Sequence, residues 1–197
     1  VTHVQGFVQL RISVSGVSGH AGAMPMEGRD DALTKARGLM DTIDAAIKEL
    51  AGLRYTIGTL DVMPGSINTI SSAVQFTLDV RHPDQAVLEL AMAKIDAVLG
   101  AATQTRLIYQ PPVPFDRAIV DVIARAAEHR GLRWRTMTSG ATHDAAHVAA
   151  LCPTAMIFVP CREGRSHCPE EWAETDDIAL GAEVMAEAVI AFDETTA

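Results

Sequence analysis

The chain has 197 residues and a mass of 21.0 kDa, a length that suits one large domain or two small ones. Apolar residues make up 48% of the sequence and charged residues 21%, a composition that excludes a mainly disordered chain. The net charge of −9 argues against nucleic acid or an anionic membrane surface as the partner, and no apolar run approaches the about 20 residues of a membrane-spanning helix.

The N-terminal residues and the cysteines indicate the origin of the chain. The first residue is a valine, and residues 1–10 lack the charged start and long apolar stretch of a signal peptide. We therefore expect a piece that begins within a longer protein. Three cysteines are too few for a disulfide framework, so a reducing cytoplasm is the expected location.

Hydrophobic periodicity in the first half switches between that of strands and that of helices. Residues 7–14 alternate apolar and polar side chains, which predicts a half-buried strand. Residues 30–51 carry apolar side chains at helical spacing, with Asp30 or Asp31 as the N-cap. The same patterns predict strands at residues 55–62, 73–80 and 105–109, and a second helix at residues 84–99. This order predicts a two-layer β-α-β-β-α-β sandwich.

Residues 110–114 contain three prolines and predict a boundary, because proline breaks both helix and sheet and stiffens a connector. Beyond it the pattern becomes α/β alternation. The predicted helices are residues 116–129, 143–150 and 175–192, and the predicted strands are residues 132–137 and 155–159. The continuous apolar run at 155–159 is typical of a strand buried on both faces of a parallel sheet. So few strands make a poor sheet by themselves.

Two clusters of unusual polar residues lie in the first half. A glycine-rich loop surrounds His20, where the backbone can approach a ligand closely; the plainer interpretation is a loop histidine in solvent. A turn at residues 64–68 ends in Asn68, and a strand ends at Arg81. Asn68 offers a donor and an acceptor, and Arg81 a fork that fits a carboxylate. Without further context, turn chemistry and a surface ion pair explain these two residues equally well.

Two more clusters lie in the second half. The small-residue turn at 138–145 places His143 and Asp144 at a helix start, where backbone N–H groups favour anions, although a helix cap alone accounts for Asp144. Residues 158–171 follow the apolar run at the end where α/β proteins bind ligands. The Cys161, His167 and Cys168 trio has no spacing typical of structural zinc sites.

In their order, spacing and residue types the four clusters resemble the binuclear-metal amidohydrolases of the aminoacylase/carboxypeptidase superfamily. The similar branch contains N-carbamoyl-L-amino-acid hydrolases, allantoate amidohydrolases and β-ureidopropionases, and the resemblance covers essentially the whole chain. The matching motifs are Gly-His-Ala-Gly-x-x-Pro-Met with Arg-x-Asp-Ala at residues 19–32, Pro-Gly-x-x-Asn at residues 64–68, Asp-x-Arg at residues 79–81, Ser-Gly-Ala-x-His-Asp-Ala at residues 139–145, and Met-Ile-Phe-Val-Pro followed by Gly-x-Ser-His-x-Pro-x-Glu at residues 156–171.

The resemblance implies an α/β (α+β) protein in which a small lid or dimerisation domain is inserted into a larger metal-binding catalytic domain. On that template residues 10–112 form the lid, which is the two-layer sandwich. Residues 1–9 and 113–197 then form the C-terminal part of the α/β metallohydrolase catalytic domain. In the family, an N-terminal segment supplies most metal ligands and the glutamate that acts as general base. Such a segment would precede Val1 and would carry the partner strands of the second half.

The resemblance also implies residue roles for hydrolysis of a carbamoyl or ureido C–N bond by metal-activated water. His20 stabilises the oxyanion, Asn68 and Arg81 bind a small carboxylate-bearing substrate, and family members present these three groups from the neighbouring subunit of a homodimer. Ser139, Gly140 and His143 line the substrate pocket. His167 is the last ligand of a site for two divalent ions (zinc, manganese or cobalt). Because one ligand cannot hold a metal, we expect the chain alone to be inactive.

The sequence departs from the family pattern at three places. Thr142 stands where the family has glycine, Cys161 where it has serine, and residues 69–72 do not follow the expected Ile-Pro-Gly. Two other functions stay open: a non-catalytic homodimeric interaction domain, and an aminoacylase or peptidase with the same chemistry. The sequence also does not separate a truncated chain from one subunit of a split enzyme.

Overall fold

The computed structural model describes residues 1–196, and of Thr195 and Thr196 only the backbone. In chain order its elements are β1 (His3–Val4), β2 (Gly6–Ser15), β3 (Gly19–His20), α1 (Ala32–Ile47), β4 (Arg54–Met63), β5 (Thr69–Ile70), β6 (Ala73–His82), α2 (Gln85–Val98), β7 (Thr103–Gln110), β8 (Val113–Pro114), α3 (Arg117–His129), β9 (Thr138–Ser139), α4 (Asp144–Val148), a 3-10 turn (Arg162–Gly164) and α5 (Thr175–Thr196). A mixed α/β fold is confirmed.

The chain divides into two compact units. One is Gly6–Pro112, called here the inserted unit; the other, called here the flanking unit, joins Val1–Gln5 to the chain from Val113 onward. The inserted unit begins at Gly6 rather than at residue 10, because β2 already starts there. No helix among the described residues is long and apolar enough to span a membrane.

The inserted unit is built on an antiparallel sheet of four strands in the order β4-β6-β2-β7. The central pair β2 and β6 is in register from Gly6 opposite His82 to Ser15 opposite Ala73. Along β6 every second residue is buried, the pattern of a strand with one covered face. The two helices α1 and α2 pack on that face. The predicted sandwich is therefore present, with the short ribbon β3-β5 added at one end.

The core of the inserted unit lies between the sheet and its helices. Phe76, Leu10 and Ile47 are among its fully buried side chains, each worth about 1.5–3 kcal/mol of burial free energy. Asp31 caps α1 by accepting hydrogen bonds from the backbone N–H groups of Leu33 and Thr34. The helix is shorter at both ends than the predicted 30–51.

The flanking unit has a small three-stranded sheet in the order β8-β1-β9, in which β1 pairs parallel to β9. Helices α3 and α5 pack against each other. Its buried apolar residues form two small clusters, one between α3 and α5 around Val122 and Val184, the other around Val4, Phe115 and Ala146.

Two strand predictions in the flanking unit are wrong. Residues 132–137 and 155–159 have no strand structure. A strand needs a backbone partner, and neither segment has a ladder partner among the described residues. Both segments instead line a groove of about 1070 Å³ whose other walls are α3 and α5. Trp134 and Phe158 in this groove are 45% and 41% exposed. The apolar patterns identified segments suited to burial, but not what would bury them.

Candidate functional site

His20 sits on an exposed loop whose backbone fixes its ring. His20 is the last residue of β3, and because β3 pairs with β5, His20 lies opposite Thr69. The backbone N–H of Gly22 donates to His20 Nδ1 at 3.1 Å. Because Nδ1 is the acceptor, the neutral ring carries its proton on Nε2. The loop therefore presents an N–H donor to solvent.

Asn68 lies beside this histidine. The backbone N–H of Ala21 donates to the Asn68 carbonyl at 2.9 Å, which ties the His20 loop to the turn before β5. The Ser66 hydroxyl donates to Asn68 Oδ1 at 3.0 Å. Asn68 is exposed, so its side-chain amide is accessible to solvent. Both side chains are exposed and carry N–H groups at the same end of the inserted unit, and their contact with a developing oxyanion stays a prediction.

Arg81 is held by a small polar network on the uncovered face of the sheet. Its Nε donates to Asp79 Oδ1 at 2.6 Å and its second terminal nitrogen to Asp79 Oδ2 at 3.0 Å. Gln9 donates to the same carboxylate at 2.8 Å, and the guanidinium lies 5.3 Å from the Phe7 ring centroid. The hydrogen bond to Asp79 raises the pKa of Arg81 above its ordinary value. The fork is therefore fixed in one orientation.

The structure separates Arg81 from the other two predicted lid residues. Arg81 is near the end of β6, whereas His20 and Asn68 lie beyond its beginning. From Ala73 to Arg81 the strand spans about 27 Å at the rise of an antiparallel strand. This is far longer than an N-carbamoyl amino acid. The presentation of all three groups by the neighbouring subunit of a homodimer stays a prediction.

Ser139 and Gly140 form a tight turn after β9. Ser139 is fully buried, and its hydroxyl donates to the Ala141 carbonyl at 2.8 Å. The buried Gln5 side chain donates to the Gly140 carbonyl at 2.7 Å. Both predicted pocket residues are thus already engaged in holding their own turn, and their contact with a substrate stays a prediction.

His143 begins α4 from an extended backbone conformation and makes no capping hydrogen bond with its side chain. Its ring lies 5.5 Å from that of Phe158. Its Nε2 is buried without a hydrogen-bond partner among the described residues. An unpaired buried nitrogen costs about 1–3 kcal/mol, and the contact of His143 with a substrate stays a prediction. The bulkier Thr142 before it is exposed.

His167 is exposed and has a positive φ of 59°, a strained conformation for a residue with a side chain. Its backbone N–H donates to Glu171 Oε2 at 3.0 Å, which holds the strained turn. The described residues contain no group of three or more His, Cys, Asp or Glu side chains that could hold a metal ion. This set does not fit a metal centre by itself, and His167 can be at most one ligand of a shared one.

Sequence reasoning missed three side chains that hold the predicted residues. Gln5 supports the Gly140 turn, Gln9 orients Asp79, and Arg29 binds the loop that carries His20. Arg29 lies inside a family motif and was visible there, but nothing in the sequence indicates its partners. Gln5 lies between β1 and β2 and Gln9 lies within β2, and nothing in the sequence marks either glutamine as a support for another side chain.

Comparisons with known proteins agree with the motifs. The family model described as peptidase family M20/M25/M40 matches residues 15–191. The N-carbamoyl-L-amino-acid amidohydrolase of Paenarthrobacter aurescens is 36% identical over 98% of this chain and 49% of its own length. The allantoate amidohydrolase of Escherichia coli is 30% identical over 94% of this chain and 47% of its own length.

A solved structure agrees with the fold. An amidase of the hydantoinase/carbamoylase family from Burkholderia vietnamiensis superposes with a TM-score of 0.86 at 36% identity, over 96% of this chain and 48% of that one. The chain spans about half the length of the curated relatives it matches. M20-family amidohydrolases are generally metal-dependent hydrolases of amide C–N bonds. The chain belongs to peptidase family M20/M25/M40 and is similar to its N-carbamoyl-amino-acid and allantoate amidohydrolases.

Proposed function

We propose that this chain is the lid and C-terminal portion of an amidohydrolase that cleaves the carbamoyl or ureido C–N bond of N-carbamoyl-L-amino acids or allantoate-like substrates. The observation that carries the proposal is the pair of N–H donors from His20 and Asn68 at one end of the inserted unit. When water attacks the carbamoyl carbon, the carbonyl oxygen gains negative charge. Fixed donors aimed at that oxygen lower the barrier.

Arg81 binds the substrate carboxylate in this proposal. Asp79 accepts from Nε and one terminal nitrogen and, with Phe7, fixes the plane of the guanidinium, which would bind the substrate carboxylate alongside Asp79. His143, with its unpaired buried Nε2, supplies a polar contact in the substrate pocket beside Ser139 and Gly140. The substrate class rests on the relatives' names together with these groups.

The separation of Arg81 from His20 supports a composite site in a homodimer. Arg81 lies at the end of the sheet where the chain enters and leaves the inserted unit: it is opposite Phe7, which on its other side pairs with Gln110. We place Arg81 in the site of its own subunit and His20 with Asn68 in the site of the partner. An isologous two-fold contact between two lids completes both sites at once.

A separate N-terminal segment completes the catalytic part. The groove between residues 132–137 and 155–159 is lined by apolar side chains, and the relatives are about twice as long as this chain. The segment would contribute the remaining ligands for zinc, manganese or cobalt beside His167, together with the general base. The free cysteines favour a cytoplasmic location.

A complementation experiment tests the function. This chain is produced alone and joined to the N-terminal segment of the Paenarthrobacter aurescens relative, and release of free amino acid from N-carbamoyl-L-amino acids is measured with each divalent metal. We expect activity only in the joined protein, and loss of about 10²–10³-fold in kcat for His20→Ala. Ser18→Ala, an exposed change before the loop, is the matched control.

Two outcomes would contradict the proposal. A joined protein that binds metal and yet cleaves only acyl or peptidyl substrates would place the chain among aminoacylases or peptidases. A joined protein that cleaves none of the carbamoyl, acyl and peptidyl substrates would favour a non-catalytic interaction domain. Light scattering of the chain at micromolar concentration tests the dimer, and a stable 21.0 kDa monomer contradicts it.

A further inference from the structure

The guanidinium of Arg29 donates hydrogen bonds to the loop that carries His20. Its Nε donates to the carbonyls of Met24 at 3.1 Å and Pro25 at 3.3 Å. One of its terminal nitrogens donates to the carbonyls of Ala21 at 2.6 Å and Met24 at 2.7 Å. We propose that Arg29 is a positioning residue that keeps the His20 ring in its donor form; the catalytic meaning of this role rests on the function proposed above.

The neighbouring acidic residues do not compete for Arg29. Asp30 forms an ion pair with Lys35, and Asp31 caps α1. Arg29 therefore has only carbonyl partners among its described contacts. One cation that binds three carbonyls of the same loop holds their turn together. The side chain thus joins the loop to the residues that start the first helix.

The geometry connects Arg29 to the ring of His20 through Gly22. Arg29 binds the carbonyls of Ala21 and Met24, which flank Gly22 on both sides. Gly22 in turn donates its N–H to His20 Nδ1. Without Arg29 the loop keeps its backbone hydrogen bonds to His20 and Asn68 but loses its side-chain anchor, so the Gly22 N–H is no longer held in one position against Nδ1. The ring then populates the other tautomer, in which Nε2 is no longer a donor.

Lysine is a poor replacement, because a single ammonium cannot reproduce the planar spread of Nε and the terminal nitrogen. Arg29→Lys is therefore expected to keep the His20 ring partly in the tautomer that is protonated on Nε2, and Arg29→Gln to lose most of this preference. Arg37→Gln is the matched control, since Arg37 is an exposed arginine of α1 in the same unit.

The test uses the full 197-residue chain labelled uniformly with ¹⁵N, so that both the histidine rings and the backbone amides are observed. In the wild type and in Arg37→Gln, we expect the neutral His20 ring to show an unprotonated Nδ1 and a protonated Nε2. In Arg29→Gln we expect a mixture of tautomers and faster amide hydrogen exchange at Gly22, Ala23 and Met24. Guanidinium ion added to Arg29→Ala should restore the wild-type ring signals. Unchanged ring signals and exchange in a folded Arg29→Gln chain would overturn the proposal.

An activity measurement on the joined protein adds a second readout. Arg29→Gln should lower kcat at least about tenfold with little change in KM, since His20 acts on the transition state. Combined with His20→Ala, it should cause no further loss, because both changes remove the same donor. Additive losses would contradict the positioning role. If the joined wild type is inactive, the proposed function fails while the NMR result still decides the role of Arg29.

Discussion

The two units differ in how far each buries its own apolar residues. In the inserted unit, side chains of the two central strands and both helices form one closed core, with Leu10, Phe76 and Ile95 fully buried. In the flanking unit the buried residues form two small clusters, and Met185 and Val189 on α5 are 55% and 63% exposed. A chain of ordinary composition thus contains one closed core and a second unit whose apolar side chains are only partly buried.

The largest effect is expected from a cavity in the closed core. Phe76→Ala should lower the free energy of unfolding of the inserted unit by about 3–5 kcal/mol. Amide hydrogen exchange along β2 and β6 measures this unit by itself. Ile108→Ala, at an exposed position of β7, should cost less than about 1 kcal/mol. A small effect of Phe76→Ala would mean that this core is not closed.

A matched pair of valines compares the two units directly. Val80 is fully buried in the inserted unit, whereas Val184 lies between α3 and α5 and lines the open groove. We expect Val80→Ala to cost about 2 kcal/mol and Val184→Ala about half as much, since an open wall relaxes more easily. Both tryptophans, Trp134 and Trp172, belong to the flanking unit, so their fluorescence reports its unfolding alone. Equal losses in the free energy of unfolding for the two variants would contradict the distinction between a closed core and an open one.

A conservative change at Arg81 tests whether the guanidinium held on the sheet of the inserted unit binds the substrate carboxylate. In the joined protein, Arg81→Lys should raise KM for carboxylate-bearing substrates about tenfold or more, because a point charge replaces the fixed fork. A carbamoyl amine without a carboxylate should show no change in KM and serves as the control substrate. An unaltered KM for the acids would remove Arg81 from the site.

His143 allows stability to be separated from function in the flanking unit. Replacing its ring by phenylalanine removes the unpaired buried nitrogen and keeps the packing against Phe158. His143→Phe should leave the free energy of unfolding unchanged or raise it by about 1 kcal/mol, while activity of the joined protein falls. Chemical denaturation followed by tryptophan fluorescence measures the first effect. Strong destabilisation would make His143 a structural residue.

The smallest effect is expected at the surface between α3 and α5. Hydrogen bonds from His129 and Arg130 hold the pKa of the Glu187 carboxyl below its ordinary value. A lowered folded-state pKa stabilises the protein above the unfolded-state pKa, and this contribution disappears as pH falls through the folded-state pKa. Glu187→Gln should therefore lower the melting temperature slightly at neutral pH and not at acidic pH. A pH-independent difference would exclude the ion pair as the cause.

Sequence patterns predicted the inserted unit better than the flanking one for a physical reason. The alternation at residues 7–14 and 73–80 reflects one covered and one open face, and both strands find their partners within the same hundred residues. The apolar run at 155–159 indicates burial equally well. A strand forms only beside a partner strand, and none pairs with this segment among the described residues, which its own apolar pattern could not indicate.

The candidate site shows the same limit. Motifs identified His20, Asn68 and Arg81, but their spacing gave no hint that His20 and Asn68 meet while Arg81 lies at the other end of the sheet. The role of Arg29 was not predictable, because its partners are backbone carbonyls, which every residue carries. Side-chain identity indicated the chemistry, and only the fold showed which groups act together.

The start and end of the inserted unit touch each other. A side chain at Gly6 would come within 2.6 Å of Pro112, and just outside the unit Val4 pairs with Val113 in an antiparallel ladder. A two-residue Asn-Gly turn is enough to close such a ladder. The whole stretch between could therefore be exchanged, lengthened or deleted without moving the strands that hold it. In evolutionary terms, a unit whose two ends lie side by side can be inserted or replaced at one point of the chain while the flanking unit stays the same.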